Sequence, residues 1–161
     1  MTIQIRMASP DDAPVIAALV MDLTAEISQR CDVSFQRDAE LTSELCARWI
    51  RERFYIVLIA YVNDKPVGIA TLAESYALYA GGKIGILQEC YVAPEQRSQG
   101  VGQRLIEGAA ALASERGWAA MELCTPPLPQ FQRAIDFYQQ YGFNPVGGRK
   151  MRRQCGAKKP A

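Results

Sequence analysis

Leu87-Gln88-Glu89-Cys90-Tyr91-Val92-Ala93-Pro94-Glu95-Gln96-Arg97-Ser98-Gln99-Gly100-Val101-Gly102 holds the densest signal in the chain. A strand ends at Pro94, a polar loop follows, and two glycines open a helix. The first amides of a helix have no intrahelical acceptor and lie at the positive end of its dipole, so an anion binds there readily. Glycine at positions 100 and 102 lets a phosphate approach the backbone without meeting a Cβ. Arg97 adds a charge-assisted donor. A Walker loop needs Gly-Lys-Ser/Thr, whereas Gly102 is followed by Gln103-Arg104; a dinucleotide fingerprint needs a third glycine where Leu105 stands. No acidic pair for magnesium stands nearby. On these residues alone, the start of an ordinary helix competes with an anion site.

Outward from this stretch, the spacing predicts alternating elements. Towards the C-terminus, Val101, Leu105, Ala109 and Leu112 mark one face of a helix over Gly100 to Arg116, stopped by Gly117. Trp118 to Cys124 reads as a strand, Pro129 to Tyr141 as a last helix closed by Gly142, and Phe143 to Arg153 as a final strand or hairpin. Towards the N-terminus, Lys83 to Val92 is a strand entered from the turn Gly81-Gly82. Tyr55 to Val62 and the strand beginning at Val67 are joined by the turn Asn63-Asp64-Lys65-Pro66, which makes them antiparallel neighbours. A first strand over residues 2 to 7 precedes a helix started by Ser9-Pro10-Asp11-Asp12, with Val15, Ile16, Leu19, Val20, Leu23 and Ile27 on its apolar face. A polar loop over Ser28 to Asp38 leads to a helix from Ala39 to Arg53 with Leu41, Leu45 and Trp49 on one side. The fold class is therefore α/β: a mixed sheet of six or seven strands flanked by about four helices, with Lys83 to Cys124 as a right-handed parallel crossover.

Length and composition bound the function. The 161 residues suit one domain, expected over 1–153, with 154–161 as a flexible basic tail. Apolar residues make up 49%, charged residues 22%, and the net charge is +1, so no global field marks a nucleic-acid binder. No signal peptide or membrane span is visible, and five cysteines without CxxC spacing point to reduced thiols in the cytoplasm. The chain has no histidine, which excludes Ser-His-Asp triads, Cys-His dyads and His-based zinc sites. Without such a partner, Cys90 and Cys124 read as small strand residues rather than nucleophiles.

Val92 to Gly102 resembles motif A of the GNAT superfamily, Gln/Arg-x-x-Gly-x-Gly/Ala. Ala134-Ile135-Asp136-Phe137-Tyr138-Gln139-Gln140-Tyr141-Gly142-Phe143 is similar to a second motif of that family, Ala-x-x-Phe/Leu-Tyr-x-x-x-Gly-Phe. The resemblance covers Lys83 to Val146 and implies an acetyl-CoA-dependent N-acetyltransferase that needs no metal. It assigns the pantetheine arm to the backbone of Cys90, Tyr91 and Val92. The pyrophosphate falls to Arg97 and to the amides around Ser98, Gln99, Gly100, Val101, Gly102 and Gln103.

Direct acetyl transfer needs a base to take the amine proton and a donor for the leaving thiolate. The resemblance places Tyr138 as that donor; on spacing alone, Tyr138 shares a helix face with Phe131, Ala134 and Ile135 and reads as core before catalysis. The resemblance points to Glu89 as the base, directly or through water, with Glu122 as the alternative; on the residues alone, Glu89 reads equally as a solvated or salt-bridged strand glutamate. Strict alternation sets Leu87, Glu89 and Tyr91 on one face of the strand and Gln88, Cys90 and Val92 on the other. The sequence departs from the family pattern at Phe131, seven residues before the tyrosine, where an asparagine is common. The implied acceptor is a primary amine of a small molecule or protein, received between Glu26 and Asp38 and near Tyr76 and Tyr79, with neither nucleic acid nor membrane as partner. The protein is expected as a monomer or homodimer. A non-catalytic acyl-CoA sensor is the alternative reading.

Overall fold

The computed structural model describes residues 1–156, so the expected basic tail lies, from 157 on, outside the described residues. The elements are β1 (Ile3–Met7), α1 (Ala13–Arg30), α2 (Ala39–Arg51), β2 (Ile56–Val62), β3 (Lys65–Ala77), β4 (Gly82–Val92), α3 (Val101–Arg116), β5 (Ala120–Leu123) and α4 (Gln132–Gln140). The strands form one sheet in the order β1-β2-β3-β4-β5. Pairing is antiparallel from β1 to β4 and parallel between β4 and β5, with α3 as the crossover.

Local chemistry accounts for most boundaries. The Asp12 carboxylate accepts the Ser9 amide at 2.8 Å and starts a short 3-10 turn that runs into α1. Asp38 caps α2 by accepting the Leu41 amide at 2.9 Å. Between β2 and β3, Asn63 and Asp64 both adopt positive φ, 51° and 65°, the twist that a two-residue hairpin turn requires.

Two expectations are corrected. The sheet has five strands rather than six or seven, because Phe143 to Arg153 forms none among the described residues. Pro145 lacks an amide donor, Gly147 and Gly148 sit at φ 84° and 75°, and Val146 and Met151 remain about 90% exposed, with no apolar face to bury them. The buried face of α2 is also rotated: Cys46, Ala47 and Ile50 meet the sheet, Leu41 is exposed, and Trp49 packs on the Tyr55 ring at 5.2 Å.

The sheet has an apolar layer on each face. Ile16 and Leu19 of α1 and Cys46 of α2 pack against Val57, Ile59, Ile69 and Tyr91. On the other face Val101, Leu105, Ile106, Ala109 and Leu112 of α3 cover Leu58, Ala60, Ala70, Leu72 and Leu87, with Phe137 and Tyr138 of α4 alongside.

The assignment of faces changes within β4. Leu72 pairs with Leu87 and Thr71 with Glu89, so Gln88 is an extra, exposed residue in a β-bulge. The bulge breaks the expected alternation. Leu87 shares the α3 face with Cys90 and Val92, whereas Glu89 and Tyr91 turn towards α1 and α2.

Candidate functional site

Parallel pairing between β4 and β5 ends at Leu87 with Leu123. Beyond that point β4 continues to Val92 paired on the β3 side alone. The opened edge borders a cleft of about 670 Å³. Cys90, Tyr91 and Val92 form its floor, the loop from Arg97 to Gln103 one wall, and α4 with Phe137 and Tyr138 the other.

The loop is shaped to present amides. Ser98 sits at φ 63° and Gly100 at φ 90°, both left-handed. The first helical bond of the turn runs from the Arg104 amide to the Gly100 carbonyl at 3.1 Å. Among the described residues the amides of Ser98, Gln99, Gly100, Val101, Gly102 and Gln103 donate to no backbone or side-chain acceptor. Six successive unpaired donors lead into the positive end of a 16-residue helix. A Cβ on Gly102 would stand 3.0 Å from the Phe137 ring, so glycine lets α4 close on this turn.

The side chain of Arg97 is occupied. Its Nε donates to the Val92 carbonyl at 2.8 Å, and its two terminal nitrogens fork onto Glu26 of α1 at 2.6 and 3.2 Å. The guanidinium also lies over the Tyr91 ring, 5.4 Å from its centre. Arg97 therefore braces the loop against α1, and in return it holds the Glu26 carboxyl below its ordinary range.

Tyr138 reaches the cleft floor beside Cys90. Burial pushes the tyrosine hydroxyl well above its ordinary range, so it keeps its proton at neutral pH. Burial also pushes the Cys90 thiol up to about 11, which makes it a poor nucleophile.

Glu89 occupies the opposite face of β4. Its Oε1 accepts from the hydroxyls of Thr71 and Tyr55, the latter at 3.3 Å, and its amide donates to Thr71 Oγ1 at 2.9 Å. Burial raises the Glu89 carboxyl above the usual carboxylate range, and the two hydroxyl bonds pull it partly back. Glu122 stands on β5 opposite Ile86, away from the cleft lining. Tyr76, paired with Lys83 near the end of the β3–β4 hairpin, and Tyr79, in the turn that joins the two strands, are largely exposed. Phe131 is buried against Ile27 and Cys31 under the Arg30 guanidinium, so the departure from the family pattern fills a small apolar cluster.

Sequence reasoning missed Thr71, Tyr55 and Arg133. Thr71 is the buried hydroxyl within the otherwise apolar run Val67 to Ala73, and that polarity is its signal. Arg133 is the only basic residue between Arg116 and Arg149. Its guanidinium crosses the cleft to donate to Ser98 Oγ at 2.7 Å.

A mixed sheet opened between β4 and β5, with a free-amide loop leading into α3, is the architecture of an acyl-CoA-type acetyltransferase. Residues 53–145 match the family described as acetyltransferase (GNAT) domain, more than half of the chain, and the protein belongs to that family. It is 32% identical over 97 residues to thialysine N-epsilon-acetyltransferase of Bos taurus, covering 55% of each protein, so the chain spans about half the length of that relative. An uncharacterised N-acetyltransferase of Bacillus subtilis is 27% identical over 139 residues, 86% of this chain and 88% of its own. Among solved structures, a probable acetyltransferase superposes with a TM-score of 0.78 at 19% identity, over 96% of this chain and 99% of that one. A predicted acetyltransferase with acetyl-CoA from Clostridium acetobutylicum gives a TM-score of 0.78 at 15% identity, covering 94% and 96%. The last two show a shared fold.

Proposed function

We propose that the protein is an acetyl-CoA-dependent N-acetyltransferase that moves the acetyl group directly to a primary amine. The single observation that carries this reading is the run of six unpaired amides at the start of α3, in a loop that lines the cleft through Ser98, Gly100, Gly102 and Gln103. A pyrophosphate satisfies these donors without any metal. The unpaired edge of β4 at Cys90 to Val92 suits the pantetheine amides, which pair there as a short added strand.

That placement brings the thioester to the β4 floor, where the side chains divide the chemistry. Glu89, pinned through one oxygen, keeps Oε2 to take, when ionised, the proton of an amine arriving from the α1–α2 face. The amine nitrogen bonds to the acetyl carbon, the carbon–sulfur bond breaks, and the Tyr138 hydroxyl donates to the departing thiolate. Arg97 positions the loop through Glu26. The thialysine acetyltransferase to which the chain is similar supports a small-molecule amine as acceptor.

The test is thiol release from acetyl-CoA, corrected for hydrolysis, across a panel of diamines, amino acids, aminoglycosides and N-terminal peptides. Amine-dependent turnover with at least one class is expected. Saturable CoA binding without turnover by any amine would favour a sensor, and absent binding would remove the cofactor assignment.

A further inference from the structure

We propose that Arg133, on the first turn of α4, is the side-chain ligand for the pyrophosphate, the role the motif arginine leaves open. The inference rests on the acetyl-CoA reading above.

The charges lining the cleft are accounted for one by one. Glu26 is neutralised twice, by Arg97 at 2.6 Å and by Arg30 at 3.2 Å. Arg30 is further held by the Gln130 carbonyl and the Phe131 ring, and Asp136 by Gln132 at 3.1 Å. Among the described residues, Arg133 has no carboxylate partner, and its guanidinium bonds to a neutral hydroxyl. It is the uncommitted cation on the cleft wall.

Its position matches that charge. Ser98, to which it reaches across the cleft, sits at φ 63° at the start of the six free amides. Ser98 supplies the first of those amides, so Arg133 is bonded to a residue of the anion-binding loop itself. Arg133 uses one of its five N–H donors on Ser98, which leaves a planar fork for phosphate oxygens. The loop supplies neutral donors from one wall and α4 supplies the cation from the other, so binding also draws the two walls together. Sequence motifs point to Arg97 because it lies in the loop, but its charge is already paired with Glu26.

Arg133 is exposed, so its replacement leaves the fold intact and its effect is readable in binding. Calorimetric titration of the Arg133→Gln variant with CoA and with 3′-dephospho-CoA separates the phosphates. Affinity is expected to fall about tenfold for both ligands, equally within a factor of about two. Arg51→Gln, an exposed arginine on α2 remote from the cleft, controls for the loss of one positive charge and should change affinity by less than about twofold. A loss confined to CoA would place Arg133 on the 3′-phosphate and overturn the pyrophosphate assignment. An unchanged affinity for both ligands would reduce the Arg133–Ser98 bond to a surface contact. Failure of the wild-type protein to bind either ligand would instead overturn the underlying cofactor reading.

Discussion

From Ile84 to Leu87, β4 has a hydrogen-bonded strand on each edge; from Glu89 to Val92, it has one on the β3 side alone. The first stretch is packed as structure. Trp118 lies flat on Gly85, where a Cβ would meet its ring at 2.2 Å, and its indole nitrogen donates to Glu74 at 2.7 Å. The second stretch carries open backbone groups, a buried carboxylate and a cleft. Gln88 separates them. The bulge ends β4's regular alternation near the point where β5 stops pairing, and one extra residue turns Glu89 onto the face opposite Leu87. Strand pairing and site exposure compete for the same backbone groups.

The largest effect expected from breaking this division is at Glu89. Glu89→Gln keeps the shape and the Thr71 contact but removes the base, so kcat should fall about 10²–10³-fold with CoA affinity unchanged, measured by steady-state kinetics beside calorimetry. Equal turnover would return Glu89 to a structural role.

Tyr138→Phe, across the strand, should lower kcat by about tenfold to a hundredfold, again at constant CoA affinity. A change in affinity alone would make Tyr138 part of the cleft wall and no more. In the paired half, Gly85→Ala forces the Trp118 ring off the strand. Chemical denaturation should show a loss of about 1–3 kcal/mol, with CoA affinity held within about twofold, since the damage lies before the bulge.

Thr71 sharpens the comparison through pH. Glu89 works as a base only when ionised, so activity is lost as pH falls through its raised folded pKa. Removing a donor raises that pKa further, and the acid limb of kcat/KM for Thr71→Val should move up by about one pH unit. Thr71→Ser keeps the hydroxyl and should leave the limb in place; a limb common to all three proteins would detach Thr71 from the carboxylate.

The smallest effect belongs to Glu74, whose carboxyl is held down to about 2 by bonds from Arg116 and Trp118. Its folded value is depressed, so its stabilisation is present above the ordinary 4.5 and fades as pH drops towards 2. Melting curves of Glu74→Gln should lose part of the wild-type decline over that acid range.

Much of the fold was legible because local signals agreed with it. Val101, Leu105, Ala109 and Leu112 repeat at helical spacing and are the buried face of α3. Asn63-Asp64 is a turn by its own backbone preference. Phe143 to Arg153 failed as a strand because β propensity counts only where a neighbour exists to pair, and Pro145 and the two glycines turn the chain away. Leu41, Leu45 and Trp49 share a helical stripe, yet Cys46 faces the sheet, since the docking angle of α2 is set by what lies beneath it.

The sequence by itself determined the loop: glycines, a polar turn and a following helix are contiguous, and unpaired amides at a helix start are a local property of the backbone. It also named Glu89 and Tyr138, through their place in recognisable stretches. Only the tertiary structure decided which face Glu89 takes, because a bulge is visible only in the register with β3. Only the tertiary structure paired Arg97 with Glu26, 71 residues away, and left Arg133 as the uncommitted charge. Charge pairing is a matter of distance in space, and the chain order does not carry that distance.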